Sequence, residues 1–385
     1  MFFLCFNFLQ FDFNPLSLRI KREVQMSYQF TKIAVKIGSN VLTRKDGTLD
    51  VTRMSALVDQ VAELYKSGVE VILVSSGAVA SGRSEIRPSK KLDSVDQRQL
   101  FSAVGQAKLI NRYYELFRDH GIAVGQVLTM KENFSTRRHY LNQRNCMMVM
   151  LENGVIPIVN ENDTVSVTEL MFTDNDELSG MIASMLDVQA LIILSNIDGI
   201  YDGSPSSLDA KVIRVVQPGK ELSDYIQMEK SGFGRGGMLT KTTIARKVAD
   251  EGINVIIANG KKENILIDLL EHPEETVCTR FVPSQGEVSS VKKWIAHSEG
   301  FAKGELHLNE KAVNVLHGDK AVSVLPVGVV RIEGDFEKDD IVKIMNHEGE
   351  SIGVGRVAFD SKEAREMLGK HGQKPLVHYD YLYLE

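Results

Sequence analysis

Four short polar runs in this sequence each follow an apolar run. Gly38-Ser39-Asn40 comes after Ile33–Ile37, which carries Lys36 near its end. Ser75-Ser76-Gly77-Ala78 follows Val69–Val74, and Asn160-Glu161-Asn162-Asp163 follows Val155–Val159. Ser195-Asn196-Ile197-Asp198-Gly199 follows Leu191–Leu194. Nearly continuous apolar runs of this length read as parallel strands covered on both faces. In a parallel sheet the segments after the strands line up along the carboxyl edge, where open α/β sheets bind ligands. Small residues there let backbone N–H groups approach a phosphate. A single polar turn after a strand carries no message, because every strand needs one. Four on one edge point to a site.

Two more segments bring charge. Thr173-Asp174-Asn175-Asp176 precedes a helix-like stretch, Glu177–Leu186, where acidic residues commonly serve as caps. Ser231 to Thr243 reads SGFGRGGMLTKTT, a glycine loop that runs into a helix carrying Lys241. Gly232, Gly234 and Gly237 fit G-x-G-x-x-G, but polar Glu221–Lys230 precedes them where a dinucleotide fingerprint needs a strand. The P-loop pattern, the G-x-S-x-G elbow, H-E-x-x-H and paired C-x-x-C are all absent, and the sequence offers no dedicated metal-ligand set. Glycine loops, two lysines and a few carboxylates suit phosphoryl transfer. That reaction needs positive charge around the moving group and in-line positioning, with little covalent chemistry from the protein.

The elements that must hold these residues follow from periodicity. Ile122–Leu128 and Ile253–Ala258 complete a set of six expected strands. Between strands lie amphipathic stretches. In one, Met54, Leu57, Val58, Val61, Leu64 and Tyr65 form a helical stripe behind an Asp50 cap, and Gly68 ends it. Strand and helix alternate over about 250 residues, which predicts an open α/β sheet sandwiched by helices. After about Ser284 the texture changes to short alternating runs, Ala321–Leu325, Val329–Ile332, Ile341–Ile344 and Gly353–Phe359, separated by turn signals. A small β-rich, barrel-like domain is expected there.

The chain of 385 residues exceeds one typical core, so two domains are expected. Its net charge of −6 gives no general pull towards nucleic acid or an anionic membrane. Three dispersed cysteines, Cys5, Cys146 and Cys278, make no disulfide framework and fit a reducing cytoplasm. Residues 1–25 read differently from the rest. Their apolar run is interrupted, and the basic residues follow it, the reverse of a signal peptide. They are expected to be a misassigned start or a loose tail, with translation beginning at Met26. The expected divisions are a catalytic domain over 26–283 and a second domain over 288–372.

Taken in order, VKIGSNVLT, VILVSSGAVASG, SAVGQAKLI, VIPIVNENDTV, TDNDELSG, LSNIDGIYD and GRGGMLTK resemble the amino acid kinase family, in particular its glutamate-phosphorylating branch. The match runs from Lys32 to about Arg280. From Gly304, GELHLNEKAVNVL, then VSVLPVGVVRIEGDFEKDDIVKI and IGVGRVAF are similar to the PUA domain that this branch often carries. The resemblance implies ATP-dependent phosphorylation of the γ-carboxylate of L-glutamate, with Mg²⁺, as the entry to proline. It implies that Lys36 and Lys241 stabilise the transferring phosphoryl group while Asp176, with Asp174 as a candidate helper, holds them. Ser76, Asp163 and Asn175 would bind glutamate, with Asp163 on the substrate's ammonium group. Ser195, Asn196 and the loop Arg235, Gly236, Gly237, Met238, Leu239, Thr240 and Lys241 would surround the nucleotide. Proline as feedback inhibitor and a homo-oligomer, dimer or tetramer, are implied as well.

The chain departs from its relatives in places. Ser195-Asn196 stands where many have Thr-Asp, and Leu239 where Ser is common. Arg235 is an added cation, facing either the phosphates or solvent. Rival readings are a family kinase for another acid or a nucleoside monophosphate, RNA binding through the PUA domain, and a non-catalytic regulatory subunit. Residues 288–385 hold 13 Lys/Arg against 16 Asp/Glu, net −3, which disfavours RNA. The long helix expected over Asp96–Arg118 and the basic stretch Lys131–Arg144 read as solvated faces or a subunit contact.

Overall fold

The computed structural model describes residues 28–165, 172, 174–203, 209–219, 238–285, 289–318 and 321–384; the leader lies outside them. Strand β1 (Lys32–Ile37), KIAVKI, is buried from Ile33 onward because it is covered on both faces. It pairs in parallel with β2 (Glu70–Ser75) on one side and β5 (Ala190–Ser195) on the other. Beyond β2 lie β4 (Val155–Glu161) and β3 (Ala123–Thr129). Beyond β5 lie β7 (Asn254–Asn259), β8 (Thr279–Phe281) and β6 (Val215–Val216). The order is β3-β4-β2-β1-β5-β7-β8-β6, and every pairing is parallel except β7 with β8. All six expected strands are present. Strands β6 and β8 were not expected, because two or three residues carry no period.

Alternation along β1 divides two cores. Ile33, Val35 and Ile37 join one, and Ala34 joins the other, which is also the side of Lys36. The first core is covered by α2 (Val51–Lys66), α4 (Ser94–Asp119) and α8 (Ile265–Glu271), with the short α1 (Ser39–Leu42) and α3 (Ala78–Arg83) at the sheet edge. Asp50 caps α2 by accepting from the backbone N–H of Arg53 at 3.1 Å, as expected. The second core is covered by α5 (Arg137–Glu152), α6 (Asn175–Met185) and α7 (Met238–Asp250). Val69 and Ile122 precede β2 and β3 by one residue and are buried in the first core.

A separate sheet of five strands runs β10-β9-β11-β12-β13. Its members are β9 (Gly304–Leu308), β10 (Val329–Gly334), β11 (Ile341–Met345), β12 (Ser351–Val357) and β13 (Val377–Leu384). Helices α10 (Glu310–Leu316) and α11 (Ser361–Met367) complete its core. Ala321–Leu325 is not a strand; Val324 alone makes a bridge, to Val377. Strand β13 lies past residue 372, so the sheet outruns the expected boundary. Before it, α9 (Ser290–Ala296) lies between the two sheets, its Trp294 and Ile295 sharing a core with α6 and α7 and with Ile341 and Val354 of the small sheet. The indole N–H of Trp294 donates to the Phe134 carbonyl at 2.8 Å.

Helices α3 and α4 cross with their backbones in contact, which requires glycine on both. A Cβ on Gly82 would stand 1.8 Å from the Phe101 carbonyl oxygen, and one on Gly105 1.9 Å from that of Ala78. Gly82→Ala and Gly105→Ala should each cost on the order of 3 kcal/mol, since backbone cannot yield as a side chain would. Gly203→Ala, whose Cβ meets nothing nearer than 4.0 Å, is the control. Equal urea midpoints for the three variants would refute the crossing.

Candidate active site

Lys36 reaches out of β1 near the carboxyl edge and is 5% exposed. Its Nζ lies 2.5 Å from Oδ1 of Asp176, in the first turn of α6. Lys241, one turn into α7, brings its Nζ to 2.8 Å from Oδ2 of the same carboxylate, too obliquely for a hydrogen bond. Asp176 is wholly buried. Burial alone would push its carboxyl up, but the ammonium groups of Lys36 and Lys241 outweigh it and hold the group well below the usual carboxylate range. Asp174 fixes the turn. Its Oδ1 accepts from the backbone N–H groups of Asp176 at 2.8 Å and Glu177 at 3.1 Å. Burial and the charge of Asp176 push the Asp174 carboxyl up to about 6, against the pull of the two lysines. Its Oδ2 is buried with no hydrogen-bond partner among the described residues.

Beside this bridge opens a cavity of about 570 Å³. Asn175 spans it, donating from Nδ2 to Ser76 Oγ at 2.9 Å, Asn160 Oδ1 at 3.2 Å and the Ser75 carbonyl at 3.3 Å. Ser75 is held in turn by the buried Tyr113, with 2.7 Å between their hydroxyl oxygens. Asp163, 8% exposed, lines the same cavity. So Ser76, Asn175 and Asp163 meet at one place, with Asp174 on the wall towards the lysines.

Sequence reasoning passed over Arg98, on the first turn of α4. Its Nε donates to Asp163 Oδ1 at 2.6 Å and its Nη2 to Glu161 Oε2 at 2.7 Å. The helix had read as a surface or subunit face, and nothing in its period marks Arg98 as inward. The available signal was Asp163 itself, a carboxylate placed in an anion-binding site with no counter-charge nearby in sequence.

A second cavity of about 900 Å³ adjoins the first, sharing Ser39, Thr43 and Arg83. Asn196, Ser39 and Asn40 line it, and Ser195, which precedes Asn196, is buried. Its cations are Arg44, Lys45, Arg53, Arg83 and Lys261, against the one carboxylate of Asp50. Met238, Leu239 and Thr240 form the first turn of α7, leading to Lys241, with Leu239 57% exposed. Arg235, Gly236 and Gly237 lie outside the described residues.

Asp176→Asn should leave two buried ammonium groups facing a neutral amide and cost on the order of 3 kcal/mol at pH 7. A carboxyl held below its unfolded value of about 3.9 contributes stability above that pH and loses it as the pH falls further. The gap between wild type and Asp176→Asn should therefore narrow from about pH 4 downward in urea titrations. A gap independent of pH would contradict the ion-pair account.

The sequence matches the amino acid kinase family over residues 31–259 and the PUA domain over residues 304–379. It is 77% identical over 360 residues to the glutamate 5-kinase of Bacteroides thetaiotaomicron, covering 94% of this chain and 100% of that protein. With the glutamate 5-kinase of Chlorobaculum tepidum it shares 47% over 364 residues, covering 93% of this chain and 99% of that one. The UMP kinase of Bacillus anthracis, a solved structure, is 14% identical with a TM-score of 0.47, covering 66% of this chain and 97% of its own. With the amino acid kinase match spanning the large sheet and these relatives spanning nearly the whole chain, the protein belongs to the amino acid kinase family and groups there with the glutamate 5-kinases.

Proposed function

We propose that this protein transfers the γ-phosphoryl group of ATP to the γ-carboxylate of L-glutamate, giving L-glutamyl 5-phosphate and ADP, the first step of proline biosynthesis. The observation that carries this reading is the pair of ammonium groups held on Asp176 beside a cavity built for a small polar ligand. A carboxylate oxygen attacks the γ-phosphorus, the bond to the bridging oxygen of ADP breaks, and no proton needs to move. A general base is therefore unnecessary. What the chemistry demands is relief of repulsion between two anions, and fixed positive charge in a dry site does that best. In this reading Lys36 and Lys241 face the γ-phosphoryl group from two sides, and Asp176 keeps them there.

Glutamate's γ-carboxylate points at the lysines, and its head lies among Ser76, Asn175 and Asp163, with the ammonium group on Asp163. The nucleotide's phosphates lie along the neighbouring cavity, whose five cations against one carboxylate complement a polyphosphate. Asn196 lines that cavity, and Ser195, Met238, Leu239 and Thr240 are assigned to the nucleotide on family resemblance, as are Arg235, Gly236 and Gly237. Mg²⁺ is commonly held by one or two carboxylates together with phosphates and water, and neutralises charge on the β and γ oxygens. Asp174 fits that role through its unpartnered Oδ2, whereas both oxygens of Asp176 face lysines. The reading includes a reducing cytoplasm, a homo-oligomer and proline as an end-product inhibitor. For the oligomer, the outermost strand β3 exposes Leu128, and α5 exposes Leu141 and Val149. No helix among the described residues is long and apolar enough to cross a membrane.

Incubation with Mg²⁺-ATP, L-glutamate and hydroxylamine should yield γ-glutamyl hydroxamate and ADP in equal amounts. N-acetylglutamate and aspartate should give neither. Turnover of a different acid in that panel would replace the substrate assignment. Lys241→Ala should lower kcat by about 10²–10³, the usual loss for one preorganised donor to the transition state. Wild-type kcat in that variant would remove Lys241 from the catalytic set.

A further inference from the structure

We propose that Arg98 is a specificity-determining residue that binds the α-carboxylate of the substrate, so that Arg98 and Asp163 together read an amino acid's zwitterionic head. The inference rests on the glutamate reading above. L-glutamate carries one ammonium and two carboxylate groups. If the γ-carboxylate faces Lys36 and Lys241, the α-carboxylate needs a second source of positive charge at the other end of the cavity. Among the described residues lining the cavity, the cations are Arg83 and Arg98. The guanidinium of Arg83 lies over the Phe101 ring, 5.6 Å from its centre, at the side shared with the neighbouring cavity. Arg98 instead touches Asp163 at 2.6 Å.

That contact matches the ligand. In an amino acid the ammonium and carboxylate groups are attached to one carbon, so their partners must be neighbours of opposite sign. Asp163 and Arg98 are such neighbours, and the four charges alternate when the head docks on them. Glu161 makes the arrangement durable. It accepts from Arg98 Nη2 at 2.7 Å and from the Phe172 backbone N–H at 3.0 Å, and it is nearly fully buried. The guanidinium is therefore fixed by two carboxylates, Asp163 and Glu161, through Nε and Nη2. The side chain of Arg98 remains 22% exposed, which leaves part of it to meet a ligand in the cavity. With Glu161, Asp163 and Arg98 counted together the head subsite carries one net negative charge. It favours a free ammonium group and disfavours an acylated nitrogen.

The test compares L-glutamate with L-isoglutamine, which has the same γ-carboxylate and ammonium groups but an α-carboxamide. Wild type should prefer glutamate in kcat/KM by about 10²-fold or more, since a charged site left facing a neutral group discriminates strongly. Arg98→Met should lose about that factor with glutamate, mainly through KM, and change little with isoglutamine, so the preference collapses while KM for ATP is unchanged. Arg98→Lys should restore part of it by returning charge without the fork. Equal losses with both substrates would show that Arg98 merely holds Asp163, and would overturn the proposal. So would a wild-type enzyme that uses isoglutamine as well as glutamate, a result independent of how any variant folds. Wild-type turnover of glutamate with an unchanged preference in Arg98→Met sinks this assignment alone. No wild-type turnover of glutamate sinks the substrate reading and this assignment with it.

Discussion

Two ammonium groups on one buried carboxylate is the constraint around which the large domain is arranged. Asp176 has no exposure, so its charge must be met inside the protein or be lost to protonation. Lys36 and Lys241 meet it from separate elements, one on the central strand and one on a helix 65 residues after Asp176 in the chain. Three segments thus converge on one carboxylate, and their positions set one another. A pair would have balanced Asp176 fully. The third member leaves one ammonium group beyond what Asp176 itself needs, which an incoming phosphoryl group can use.

The far end of the smaller cavity shows the opposite balance. Asp163 and Glu161 outnumber Arg98, and burial with the charge of Asp163 raises the Glu161 carboxyl, partly relieved by Arg98. One protein therefore keeps a positive pole and a negative pole within a single cleft. They are separated by the neutral bridge of Asn175, Ser76 and Asn160. A ligand with a carboxylate at its tail and an ammonium group at its head matches the two poles. The neutral bridge has its own support in the buried hydroxyl pair of Ser75 and Tyr113, which ties the end of β2 to α4.

What the sequence made legible follows from which forces act locally. The central strands were readable because a strand covered on both faces must be apolar throughout, and Lys36 stood out as a cation inside such a run. Lys241 stood out at the end of its glycine loop, whereas Asp176's place in a helix's first turn suited a cap equally, and its role between the lysines was implied by the family resemblance. Arg98 was not, because its partners lie 63 and 65 residues away and α4 presents an ordinary mixed surface. The last strand escaped for a similar reason. In β13 buried and exposed residues alternate imperfectly, and only its pairing with β12 makes it a strand. Helix α9 drew no expectation of its own, since the destination of Trp294, between the small sheet and α6, depends on tertiary packing alone.

Helix α9 bears on the candidate site. Helix α6 starts at Asp176's turn and ends near Ser184, about 16 Å along its axis for 11 residues. There Ser184 hydrogen-bonds to Glu251, which follows α7, and lies 3.1 Å from His297 at the end of α9. His297 also lies 2.8 Å from Glu251, whose side chain is 1% exposed. A carboxylate so deeply buried needs such neighbours, and with Glu251 itself following α7 the three groups come from α6, α7 and α9. Helices α6 and α7 are therefore joined twice, by Asp176 with Lys241 at the sheet-edge end and by Ser184 with Glu251 at the far end. Neither can rotate about its axis without breaking one contact. The small sheet enters this arrangement through α9, so it braces the two helices that define the positive pole.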